Sequence, residues 1–113
     1  MRTINRWALV VRFKEPYLRW AAGLDEKAPD DAASMKTAIS VYLIPEDPNR
    51  DEDNPPLEEY YGQIFTQELE AWWTDEARWP AKRDLATFQE WFEVTAESIV
   101  TDLGTGPIRI EKL

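Results

Sequence analysis

A chain of 113 residues with 43% hydrophobic side chains and 14 aromatic rings suffices for one core and one domain, 1–113, and at that length folding buries roughly two-thirds of the unfolded surface. It has no cysteine and no histidine, which excludes disulfides, thiolate nucleophiles, imidazole bases and the zinc, haem and iron–sulfur centres that depend on them, so no cofactor is expected. The formal net charge of −9 argues against direct nucleic-acid binding by phosphate neutralisation and leaves cations, basic proteins or water as partners.

The opening MRTINRWALVVRFKEP holds charges where a signal peptide needs its apolar stretch, and no apolar run approaches the roughly 18 residues of a membrane helix. A cytoplasmic location is the expectation. Residues 6–13, RWALVVRF, put Trp7, Leu9, Val11 and Phe13 on one side of a strand and Ala8 and Val10 on the other, the apolar-on-both-faces pattern of a central strand. Pro16 then opens a helix of about two turns that Gly23 can stop.

The polar stretch from Leu24 to Thr37 reads as a connection with one helical turn near Asp30 or Asp31. Residues 38–44, AISVYLI, are β-branched and aromatic and stop at Pro45, which predicts a second strand. From Leu57 the apolar positions Leu57, Tyr60, Tyr61, Ile64, Phe65, Leu69, Trp72 and Trp73 form one helical stripe, with Asn54 as its expected cap, Pro55 in the first turn, and Glu58 and Glu59 at the positive end of the helix dipole. Pro80 breaks the pattern; Asp84 caps a third helix, whose face is Leu85, Phe88, Trp91 and Phe92. Residues 94–103 predict a strand, GTGP a turn, and IRIEKL a return strand that closes a terminal hairpin. The order is β-α-β-α-α-β-β, an α+β fold with a three- or four-stranded sheet and its helices mainly on one face.

The segments NRWALVVRFKEPYLRWA, VYLIPE, WWTDEARWPAKRDLATFQEWFEV and SIVTDL together resemble a group of small acidic bacterial proteins that carry no assigned activity. The resemblance spans most of the chain. It implies a bacterial, cytoplasmic α+β domain and brings no functional residues with it.

Four constellations bear on function. Asp47, Asn49, Asp51, Asp53 and Glu58 stand at the ligand places of a twelve-residue calcium loop, but its sixth place, where glycine allows the sharp turn, is Glu52, and prolines restrict the rest. A solvated connection fits better, and no metal is expected. The stretch around Trp72, Trp73, Asp75, Glu76, Arg78 and Trp79 offers aromatic and charged groups for binding; the rings either close the core with their indole donors satisfied locally or leave one face open as a platform. Twenty-two carboxylates admit a sugar-cleaving pair, though no spacing selects one. Glu58, Glu59, Glu68, Glu70, Asp75 and Glu76 lie off the main stripe, a pattern suited to a phosphate mimic or to any solvated helix face. Among the basic residues near the start, Arg12 falls on the second face of the first strand, where a buried guanidinium would need a carboxylate.

The expected function is a non-catalytic protein-binding or regulatory module. The alternatives are a small carboxylate-based hydrolase acting on a sugar-like ligand and an acidic nucleic-acid mimic or inhibitor.

Overall fold

The computed structural model describes residues 1–24 and 38–112. The helical turn expected near Asp30 lies outside the described residues. The central element is β2 (Arg6–Phe13), flanked on both sides by antiparallel strands, β3 (Ile39–Pro45) and β4 (Phe92–Glu97), in the order β3-β2-β4. Alternation along β2 sends Trp7, Leu9 and Val11 to one face, where all three are buried. In register beside them stand Ile44, Tyr42 and Ser40 on β3, and Ala96 and Val94 on β4 opposite Leu9 and Val11.

Among the described residues, three helices cover that face. Helix α1 (Glu15–Leu24) buries Tyr17 and Ala21; α2 (Leu57–Trp72) buries Ile64, Phe65 and Leu69; α3 (Leu85–Trp91) buries Phe88. The predicted stripe of α2 therefore does face the sheet. Its aromatic partners interlock at the centre: Phe65 meets Phe92 edge-on at 5.4 Å between ring centroids, and Phe88 lies 5.0 Å from Phe92. Asp84 caps α3 as expected, its carboxylate accepting from the Thr87 amide at 2.9 Å. Asn54 does not cap α2. The cap position is Pro56, which has no side-chain acceptor to offer, while the Asn54 amide closes a turn onto the Asp51 carbonyl.

On the second face of β2, Arg12 is exposed and, among the described residues, makes no ion pair; its guanidinium reaches the Thr95 hydroxyl at 3.4 Å. Laterally β2 is central, as its pattern predicts, but on its second face Ala8 is buried, Val10 half-buried and Arg12 exposed. Ile39, Val41 and Leu43 of β3 share that face and remain more than half exposed.

The predicted terminal hairpin is replaced by a long-range pairing. A short first strand, β1 (Arg2–Ile4), pairs antiparallel with β5 (Val100–Asp102), and Ser98 and Ile99 interrupt the single strand expected over 94–103. Between the pairs Ile4–Val100 and Ala8–Glu97 the first chain uses four steps and the second three, a bulge that lets β1–β5 extend the β2–β4 ribbon. Arg2 fixes the tip, its guanidinium reaching Asp102 at 2.6 Å and the Gly106 carbonyl at 2.8 Å. Asp102 also accepts from the Gly104 amide, so it is held below the usual carboxylate pKa by that bond first and by Arg2 second. With Asp102 and the Thr101 strand already engaged by β1, Ile108–Lys112 joins no strand.

The acidic loop closes on itself. Asp47 accepts from the Asn49 amide at 2.9 Å, Arg50 pairs with Glu58, and the Glu52 carboxylate accepts from both the amide and the hydroxyl of Ser98 at the ribbon's bulge. Two residues at the supposed ligand places, Asp47 and Glu58, are thus committed to a turn and an ion pair. Among the described residues no group of three or more Asp or Glu side chains is placed to hold a metal ion.

Candidate functional site

Glu68 interrupts the apolar face of α2. Its neighbours at helical spacing are Ile64, Phe65 and Trp72, so α-helical geometry carries it onto the covered side, where it is only 5% exposed. The expectation that Glu68 faces outward with Glu58, Glu59 and Glu70 is overturned; those three are exposed and Glu68 is not. The row of helix carboxylates that would imitate phosphates loses a member.

The carboxylate is held by hydroxyls. Ser40 donates to Oε1 at 2.6 Å and lies 3.2 Å from Oε2, and the Tyr42 hydroxyl donates to Oε1 at 2.8 Å. Tyr17 donates to the backbone carbonyl of the same residue at 2.7 Å. Two elements supply this arrangement: β3 places Ser40 and Tyr42 two residues apart on its inward side, and the first turn of α1 sets Tyr17 beneath them. Oε1 receives both well-formed bonds, which leaves Oε2 with acceptor capacity.

Burial and the Glu68 charge act in one direction on the phenols. Tyr42 is raised far above the ordinary phenol value, by burial first and then by its hydrogen bond to Glu68. Tyr17 is raised by burial and then by the charge of Glu68. Both remain neutral donors.

Glu68 forms part of the wall of a groove of about 770 Å³ between β3, α1 and α2. Phe13, Tyr17, Tyr42 and Trp72 give it aromatic surfaces, and Gln63 and Gln67 give it amides. Among the described residues no basic side chain lines it, and Glu68 is the sole carboxylate. Such a site offers hydrogen-bond acceptors, π faces and one negative charge, a set that suits a cation.

The chain matches no protein-family model, no curated protein and no solved structure. Function therefore has to be read from the geometry of the molecule.

Of the six binding candidates Trp72, Trp73, Asp75, Glu76, Arg78 and Trp79, Trp72 alone lines this groove. Its indole donates to the Ala21 carbonyl at 3.2 Å, tying α2 to α1. Trp73 is the extended residue that ends α2, and Trp79 donates to its carbonyl at 2.7 Å. Asp75 caps a short 3₁₀ turn, Glu76–Arg78, by accepting from the Ala77 amide, and the Arg78 carbonyl accepts from Trp20 at 2.8 Å. Glu76 and Arg78 are exposed. Arg83 lies over the Trp79 ring, 5.6 Å from its centroid. These six residues form a structural corner in which three indoles, those of Trp20, Trp72 and Trp79, satisfy backbone carbonyls. The Trp73 indole nitrogen is the exception, buried with no hydrogen-bond partner among the described residues.

The sequence marks Glu68 only as one of an outward row of carboxylates, and it does not mark Ser40, Tyr42 or Tyr17 as a site. The signal was present: the α2 stripe jumps four residues from Phe65 to Leu69, and the skipped slot at Glu68 is an i, i+4 neighbour of both Ile64 and Trp72. A carboxylate at an apolar slot marks a buried polar site.

Proposed function

We propose that this protein is a bacterial, cytoplasmic, non-catalytic binding module that takes a cationic side chain of a protein partner in the Glu68 groove. One observation carries the reading: a carboxylate withdrawn from water, held among the described residues by neutral hydroxyls alone, in a groove lined with aromatic rings and, among those residues, with no basic side chain. Withdrawing such a group from water costs several kcal/mol unless it is compensated, and two hydroxyl bonds offset only part of that. A guanidinium or ammonium entering the groove supplies the missing charge, and its stem covers aromatic surface.

The hydrolase alternative draws less support, because cleavage with two carboxylates needs a second carboxyl group roughly 5–9.5 Å away, and among the described residues the groove lining offers Glu68 alone. The mimic alternative loses Glu68 from its charged face.

The test is a heteronuclear NMR titration with acetyl-arginine amide, using acetyl-citrulline amide as the neutral isostere. The arginine probe is expected to shift the Trp72 indole and the Ser40 and Tyr42 amides, and Glu68→Gln is expected to weaken it by about tenfold or more, as loss of a charged partner does. Equal response to citrulline, or undiminished binding by a folded Glu68→Gln protein, would remove the reading.

A further inference from the structure

Strand β3 is an edge of its sheet, with β2 its one strand partner among the described residues. Its seven residues, ISVYLIP, contain no charge, whereas natural edges are usually blunted by lysine, bulges or brevity. One side of this edge is apolar: Ile39, Val41 and Leu43 are 53%, 56% and 53% exposed. The other side is the Glu68 groove, reached by Ser40 and Tyr42. A strand added here must alternate in the same way, apolar toward the open face and cationic toward the groove.

The chain itself carries that pattern. Ile108 and Ile110 flank Arg109, and the two isoleucines are 61% and 84% exposed in a segment that joins no strand. No ion pair among the described residues engages Arg109. Resting on the cation-binding reading of the groove, we infer that residues 107–111 of one molecule add as a strand to the β3 edge of a second molecule. Ile108 and Ile110 then cover Ile39, Val41 and Leu43, and Arg109 meets Glu68.

A second copy is required by reach. The Gly106 carbonyl is held by Arg2, and Ser40 stands opposite Val11, nine residues further along the β1–β2 path. That path covers roughly 30 Å at about 3.3 Å per residue, while the three residues from Gly106 to Arg109 span about 10 Å. The groove within reach of Arg109 thus belongs to a neighbouring molecule. The contact joins two different surfaces, so it closes as a reciprocal pair or propagates as a chain of molecules.

Sedimentation of the full chain across concentrations up to about 1 mM, a range that detects even weak association, is the test. The wild-type protein is expected to associate, and Glu68→Gln and Arg109→Glu are each expected to weaken self-association by tenfold or more while circular dichroism stays native. A mixture of the two variants should associate again, because the first retains a free Arg109 arm and the second an intact groove. A synthetic GPIRIEKL peptide should compete, and the same peptide with glutamate for arginine should not. A wild-type chain that stays monomeric, or a variant mixture no better than its components, overturns the inference. The arginine-probe titration separates the two claims: shifts with the probe and no self-association leave the groove reading standing and sink only the strand addition, whereas no response to either sinks both.

Discussion

A single helical position decides the chemistry of this molecule. Any apolar side chain at 68 would complete the face shared by Ile64, Phe65 and Leu69; a glutamate there recruits Ser40 and Tyr42 as donors and creates an anionic groove. The arrangement has a consequence at alkaline pH. Tyr17 and Tyr42 have folded-state pKa values raised above the ordinary phenol value of 10.0, so their contribution to stability is complete below pH 10 and is lost as pH rises toward the folded values. Phenolate absorbance from Tyr42, identified by its loss in Tyr42→Phe, is expected to appear only together with the far-ultraviolet signature of unfolding. Its appearance in a still-native protein would show that the phenol is neither sealed nor held by Glu68.

At the scale of elements, α2 combines strong and weak features. Its buried side sets Ile64, Phe65 and Leu69 into the core, yet it begins at Pro56 without a side-chain cap and carries Gly62 in its interior. Gly62 is exposed, has helical backbone, and an added Cβ would meet nothing within 4 Å. Gly62→Ala is therefore expected to stabilise the fold by about 0.5–1 kcal/mol, chiefly by restricting the unfolded chain. Urea denaturation measures this as a higher midpoint with an unchanged slope. A lower midpoint would mean that the α2 backbone at Gly62 is not relaxed helix.

Across the molecule, the described helices gather on one face of the sheet, and an apolar stripe stands exposed on the other. Ile39, Val41 and Leu43 lie in a row on an uncharged edge strand, the arrangement most prone to sticking to another strand. Val41→Lys is expected to leave stability within about 0.5 kcal/mol, as for an ordinary surface change, and to suppress light scattering on heating. Scattering equal to that of the wild type would show that this face does not govern association. The same asymmetry explains how β2 can be central in its sheet and still leave Arg12 exposed.

The sequence alone determined the elements governed by short-range periodicity and local capping. These are the central strand through Trp7, Leu9 and Val11, the α2 stripe, the Asp84 cap and the α+β layering, since each follows from side-chain spacing along one segment. Glu68 was legible only as a misfit at an apolar slot, because its donors Ser40 and Tyr42 lie 28 and 26 residues away, and no local pattern joins them. Tertiary structure also decided the fate of the last strand. Residues 108–112 have strand-like alternation, but β1 reaches β5 from a hundred residues earlier in the chain, as the Arg2–Asp102 contact shows. Local alternation states that a segment can pair; which segment takes the partner depends on competition between distant parts of the chain, and only the assembled fold resolves it.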